Sequence, residues 1–365
     1  MKQIKVDIPF LISIIILVVA GYLIFASASL GLLSKQAGKY SNVAFNQTFF
    51  GLFLGAIACL ITSHIDYKIY RTYSFILFIA SVALTLLVFV PGLGIAHGGA
   101  ARWIDLGFVS FQPSEFMKIG FIIFFSAWMA KAKDRARDFK HGFLPFIILG
   151  LIVGAILLKQ PDTDTFLIIL FSGLAIFLAG GGRWKYVFVS AVVGMLCIGT
   201  LALSKPYVMS RINTFINPSA NALSSGYQIQ QSLIAIGSGG LSGRGFGQSI
   251  QKFNFLPEPI GDSIFAVAGE EFGFIGALGI ILLFIFFAFR GLKIANNVPD
   301  VFGRLMVVGI VILIVSQAFV NIGAMVGVLP LSGITLPFVS HGGTALFMTL
   351  AEVGIVLNIS KNRKR

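Results

Sequence analysis

The chain has 365 residues, 57% of them hydrophobic and only 11% charged, and a mean hydropathy of +0.93. Soluble domains carry about 25% charged residues, so this chain lacks the polar surface to stay dissolved. The net charge of +13 is scattered through short loops between apolar runs, a membrane-topology pattern that argues against a nucleic-acid partner.

In chain order, apolar runs predict spans at 8–33, 46–63, 73–94, 114–130, 142–158, 165–180, 186–203, 263–289, 302–328 and 335–359. Each is near the roughly 20 residues that a bilayer requires. The first run is too long for a removable signal peptide, so it is expected to be a span. With ten spans both termini share one side. Eighteen Lys and Arg then fall on that side and eight on the other, with Lys118 left inside a span. The positive-inside rule puts the termini in the cytoplasm. The expected fold is therefore an all-α, single-domain polytopic membrane protein over 1–365, with about ten transmembrane helices. One large extracytoplasmic loop, about 204–262, and a smaller outer segment, about 95–113, carry the chemistry. The basic run Lys131–Lys140 reads as an ordinary cytoplasmic anchor rather than a lipid-binding site. Cys59 and Cys197 lie in apolar runs, and the four histidines show no ligand spacing, so neither disulfides nor a cysteine metal site is expected.

The smaller outer segment holds Arg102 and then Gln112-Pro113-Ser114-Glu115-Phe116-Met117-Lys118. Glu115 and Lys118 lie one turn apart, either as a structural pair or facing a wet cavity, since an intramembrane Lys costs roughly 2.5–3.5 kcal/mol. Asp162 and Asp164 precede the sixth span. In the large loop, residues 226–236 predict a short helix, lying in the interface or packed on the domain. Six glycines in 237–247, with Arg244 among them, could cradle an anion or simply turn the chain. Pro257-Glu258-Pro259-Ile260-Gly261-Asp262 leads rigidly into the eighth span. Asp262 there suits a helix cap, or a carboxylate fixed at the membrane surface. Glu270 and Glu271 inside that span fit either structural pairs or a proton relay. Residues 333–344 read as a broken entry into the last helix.

Together these segments resemble the SEDS family (shape, elongation, division and sporulation proteins). The matching stretches are Ala101-Arg102-Trp103-Ile104, Phe111 to Lys118, Gln160-Pro161-Asp162, Ala235 to Leu241, Phe255-Leu256-Pro257-Glu258 and Leu336 to Gly343. The tract Gly333 to Phe338 is closer to the FtsW branch than to RodA. Departures are His341 where Tyr is usual, Thr163-Asp164 where Leu-Gly is usual, and the Pro259-Ile260-Gly261 lead-in with Ser263. The resemblance implies a peptidoglycan glycosyltransferase of the bacterial cytoplasmic membrane, polymerising lipid II into a growing glycan strand beside a class B penicillin-binding protein. It implies Asp262 as catalytic carboxylate and undecaprenyl pyrophosphate as leaving group. It also implies Arg102, Gln112, Glu115, Lys118, Asp162, Glu258, Ser340 and His341 as substrate-facing residues. Arg211 and Arg244 are further cations available to the pyrophosphate. A divalent cation, Mg2+ or Mn2+, held by Asp262 is compatible with this chemistry, and no organic cofactor is expected. The rival expectations are a lipid II flippase, motivated by Lys118, Glu270 and Glu271, and a non-catalytic scaffold for a transpeptidase.

Overall fold

The computed structural model describes residues 6–35, 37–97, 100–105, 110–204, 206–217 and 225–362. Lys2, Lys5, Lys205, Arg363, Lys364 and Arg365, which entered the charge count, lie outside them, as do Gly98, Gly99 and residues 106–109 and 218–224. Helix accounts for 79% of the structure.

Helix α1 (Ile8–Lys35) starts at Asp7, whose carboxylate accepts from the Phe10 amide at 3.0 Å and so satisfies an orphan donor of the first turn. Then α2 (Ala37–Phe45), a π-helical stretch (Asn46–Leu54) and α3 (Gly55–His64) run end to end. A single turn, α4 (Lys68–Thr72), leads to α5 (Ser74–Leu86). The helix gives way near 90 instead of continuing to 94, because the chain enters a three-stranded antiparallel sheet. Its strands are β1 (Gly94–His97), β2 (Ala100–Asp105) and β3 (Ser110–Phe111), with β2 in the middle. Apart from this small sheet the described residues are nearly all helical, in line with the all-α expectation. The tract is rich in Gly and Ala and lacks apolar alternation, so no period-two signal announces it.

The helices that follow are α6 (Pro113–Ala132), α7 (Leu144–Lys159), α8 (Thr163–Ala179), α9 (Trp184–Ser204), α10 (Pro206–Ile216), α11 (Ser225–Ser238), α12 (Gln251–Asn254), α13 (Ile264–Asn297), α14 (Val301–Met325) and α15 (Gly343–Ser360). The helix expected over 226–236 is α11, while α10 was not foreseen. The last helix starts at 343 rather than 335 because residues 326–342 form an irregular segment, as its Gly, Pro and Ser content suggests.

Among the described residues, seven helical stretches are long and apolar enough to cross a membrane, and two shorter apolar ones cover Ser74–Phe89 and Thr163–Ala179. Burial sorts them: 72% of the apolar window of α14 is covered by protein but only 6% of that of α9, so α14 is central and α9 peripheral. Along α13, Phe274, Leu278, Leu282, Ile285 and Phe289 are exposed while Ala277, Ile280, Phe284, Phe287 and Ile294 are buried. An apolar outer face of this kind is solvated by lipid rather than water. At one end of the bundle Asp7 accepts two bonds from Arg290 (2.9 and 2.7 Å) and its amide donates to Ser360, clasping α1, α13 and α15.

Near its start α13 is interrupted: Gly273 adopts φ 65°, ψ −164°. The glycine-rich loop repairs the break. Arg244 and Gly245 amides donate to the carbonyls of Glu270 and Glu271 (both 3.0 Å), and the Phe274 and Ile275 amides donate to Gly240 and Leu241 (2.8 and 3.1 Å). Gly243, at φ 82°, passes so close that a Cβ would meet the Glu271 carbonyl. Those loop amides therefore serve the helix, not an anion.

Candidate active site

Local sequence brings six segments, among them α14 with Gln317, to a cavity of about 200 Å3. Pro113, with no amide to lose, opens α6 and places Glu115 and Lys118 on its first turns. Strand β2 delivers Arg102 and Trp103. Asp162 stands at the entry to α8. The 258–262 turn is pinned by the Gly261 and Ser263 amides on the Glu258 carbonyl (3.0 and 3.2 Å), with Glu258 itself at φ 45°. The irregular 331–342 segment closes the remaining side.

Arg102, Gln112, Glu115, Lys118, Asp162, Glu258, Asp262 and His341 all line this cavity, although they come from distant parts of the sequence. Ser340 stands behind it: its hydroxyl donates to the Gly261 carbonyl (2.8 Å) and accepts from the Leu336 amide (2.8 Å). The His341 amide donates to Ile260 at 2.7 Å, so the 340–341 step holds the lead-in to Asp262. Arg211 is engaged by Asp164 in two bonds of 3.0 and 2.7 Å. Asp164 also accepts from the Gly333 amide at 3.3 Å, which brings this pair to the cavity's rim. Arg244 is elsewhere. It is not among the lining residues and lies 3.4 Å from Glu270, so its expected role on the substrate is withdrawn.

Glu270 and Glu271 are structural. Glu271 accepts from Ser27 (2.6 Å) and from the fully buried Lys252 (2.7 Å), while Glu270 accepts from the Ser249 hydroxyl and the amides of Ile250 and Gln251. With these partners their expectation as a proton relay has no support.

Lys118 bonds Glu115 at 2.7 Å and donates to Gln317 at 2.9 Å. Gln317 in turn donates to the Thr335 carbonyl (3.1 Å). One turn on, the Asn321 amide donates to the carbonyls of both Asp262 and Ile334, each at 2.8 Å. Gln47 of the π-helical stretch donates to the Ser340 carbonyl (3.2 Å) and accepts from the Gly342 amide (3.0 Å). Sequence reasoning missed all three. Gln317 and Asn321 carried a usable signal, since two amides four residues apart inside an apolar run need a polar partner. Gln47, at the edge of a span, carried none.

Arg102 donates to the carbonyls of Gln160 (3.4 Å) and Pro161. A Cβ added at Gly333 would stand in ordinary contact with both, 3.8 Å from Asp262 Oδ2 and 4.0 Å from Arg102 Nη1, so the carboxylate and the guanidinium flank this glycine. Burial pushes the Asp262 carboxyl up to about 7, helped by the nearby carboxylates of Glu258 and Asp164 and opposed by Arg211 and Arg102. Burial also raises Asp162, against Arg102 and a hydrogen bond from Thr165. His341 stacks on Phe25 and is lowered by burial to about 4. The site thus pairs a carboxylate poised near neutral pH with a fixed guanidinium.

Among the described residues no three His, Cys, Asp or Glu side chains converge as a metal site. Mg2+ commonly takes one or two carboxylates plus substrate phosphate oxygens. Glu258 and Asp262, which both line the cavity, offer two carboxylates and do not make an all-protein cage.

Residues 8–365 match the family model described as "Cell cycle protein", FtsW/RodA/SpoVE. The chain is 37% identical to stage V sporulation protein E of Bacillus subtilis, covering 99% of this chain and 98% of that protein. It is likewise 37% identical to a probable peptidoglycan glycosyltransferase FtsW of Trichlorobacter lovleyi, over 98% of this chain and 94% of the relative. In three dimensions it resembles a chain of a peptidoglycan synthase complex that coordinates polymerization and crosslinking, with a TM-score of 0.79 and 27% identity, over 96% of this chain and 97% of that one. It also resembles the rod shape determining protein RodA of Thermus thermophilus, with a TM-score of 0.69 and 26% identity, over 100% of both chains. This chain belongs to the FtsW/RodA/SpoVE family and is a multi-pass protein of the cytoplasmic membrane.

Proposed function

We propose that the chain is a peptidoglycan glycosyltransferase that polymerises lipid II at the outer face of the cytoplasmic membrane. In this reading ten spans with both termini inside, the topology the charge pattern favours, would put the cavity at that outer face. The observation that carries the reading is Asp262, a half-buried carboxylate raised to about 7 and set across Gly333 from Arg102. The relatives' naming as probable peptidoglycan glycosyltransferases supports it.

In the reaction Asp262 takes the proton from an acceptor sugar hydroxyl. The freed oxygen bonds to the donor's anomeric carbon, and the bond from that carbon to the pyrophosphate oxygen breaks. Undecaprenyl pyrophosphate leaves with the electron pair. A base with a pKa near the working pH gives the best compromise between availability and strength, and such groups supply about 10²- to 10⁴-fold. In this reading Arg102 meets the charge on the pyrophosphate, with Arg211 and Lys118 adding field from behind their acidic partners. Glu258 and Asp262 would hold a divalent cation, Mg2+ or Mn2+, which would supply further neutralisation of the leaving group. The growing glycan strand is the second substrate. A class B penicillin-binding protein is the proposed partner, on the strength of the likeness to a synthase complex that couples polymerization to crosslinking.

Asp262→Asn is expected to fold and to make no glycan polymer from purified lipid II on a gel assay; polymer at the wild-type rate would remove Asp262 from the mechanism. Proteoliposomes separate the rivals: lipid II scrambling without polymer would favour a flippase, and neither activity would favour a scaffold.

A further inference from the structure

Helix α6 begins at the active-site cavity and ends, 20 residues later, about 30 Å away. A second crevice, of about 570 Å3, opens at that far end. Trp128, Lys131, Lys133, Asp134, Arg135 and His141 line it. The basic run here reads from sequence as a solvated anchor, but a solvated anchor needs no cavity. The chain doubles back at Lys133, which sits at φ 49°, and the Trp128 indole donates to the His141 carbonyl at 3.0 Å, closing the crevice across two segments.

Three cations face one carboxylate, and no ion pair among the described residues engages Lys131, Lys133 or Arg135. His141 Nδ1 is buried there without a hydrogen-bond partner. Buried polar atoms are rarely left so, and a ligand atom would complete it. The bilayer side of the crevice is aromatic. Trp128 is 42% exposed, Phe124 lies 6.4 Å from it, and Phe75, 60% exposed, lies 5.8 Å from Phe124. This ladder offers a track for an acyl chain immediately beside a positively charged hollow. Basic pockets on the cytoplasmic side of membrane proteins hold anionic headgroups in this way.

We propose that this crevice binds the phosphodiester headgroup of an anionic phospholipid from the cytoplasmic leaflet. The proposal depends on the topology given above, not on the glycosyltransferase reading, and it fails or stands independently of Asp262.

The test uses the full chain in vesicles, with Trp103→Phe and Trp184→Phe leaving Trp128 as the sole tryptophan, excited selectively over the tyrosines. Phospholipids brominated on their acyl chains quench a tryptophan they touch. Brominated phosphatidylglycerol is expected to outcompete brominated phosphatidylcholine at Trp128 by roughly fivefold or more, the contribution of a single cation near a charged surface. Lys131→Gln with Lys133→Gln and Arg135→Gln removes the preference. Arg135→Gln alone, a milder change for folding, reduces it. A control triple on the same membrane face, Lys68→Gln with Arg71→Gln and Lys293→Gln, leaves it intact. Equal quenching by both lipids would overturn the proposal, as would equal loss in the control. Abolition of the preference by millimolar inorganic phosphate would also overturn it, because the ligand would then be free phosphate.

Discussion

At the scale of single residues, Asp262 links activity to pH in a way that a fully exposed carboxylate would not. Its folded pKa of about 7 lies above the ordinary 3.8, so the base form grows as pH rises through 7. Polymerisation rate is expected to climb between pH 6 and 8, read from initial rates with lipid II. Stability moves the other way. Between the unfolded and folded pKa values the native state binds a proton that the unfolded chain does not, so stability falls as pH rises across that window. Asp262→Asn abolishes this term, and its thermal midpoint should exceed that of the native chain by a gap that widens from pH 5 to pH 8. A variant both inert and more heat-resistant is the signature of a strained functional group. Asn321 supplies a second case. Its amide donates to Asp262 and Ile334 carbonyls at 2.8 Å each, and Asn321→Ala leaves both without that donor at a cost of about 1–3 kcal/mol. Activity should drop more than stability, because Asp262 would be free to shift; loss of fold with full specific activity in the remainder would contradict this.

At the scale of elements, the buried Lys252–Glu271 pair with Ser27 bolts α12 and α13 to α1. Both side chains are fully buried. Removing one partner leaves the other charge stranded, so Lys252→Met should cost about 3–5 kcal/mol. The double variant with Glu271→Gln should recover most of that, as thermal unfolding in detergent would show. Legibility from sequence differed sharply between elements. Long apolar runs announce their helices, and the ordered motifs from Arg102 to His341 drew eight of the expected residues to one cavity. The sheet at 94–111 was hidden because Gly and Ala carry little strand signal. The glycine-rich loop with Arg244 left two readings open, an anion cradle and a plain turn, and only the structure shows its Arg244 and Gly245 amides occupied by the α13 break. Lys252 gave no sign of burial, since a lone lysine in an outer loop ordinarily stays in water.

At the scale of the whole molecule, the proposed topology assigns every described loop to a side, and labelling can check it. In a chain with Cys59→Ser and Cys197→Ser, a cysteine at Ser242 should react with an impermeant maleimide added to intact cells, and one at Lys133 should react only after permeabilisation. The reverse pattern would invert the membrane orientation and put Asp262 on the side without glycan. The interruption of α13 also bears on how such a chain is born. The strip that completes its backbone, residues 240–245, is synthesised before α13 itself, and in the proposed topology must already have been exported when Gly273 reaches the bilayer. Were that strip retained inside, the break would enter hydrocarbon with amides and carbonyls open, each a penalty of several kcal/mol. Translocation of one short loop therefore licenses the seating of the helix that follows it, and the order of biogenesis is written into a glycine.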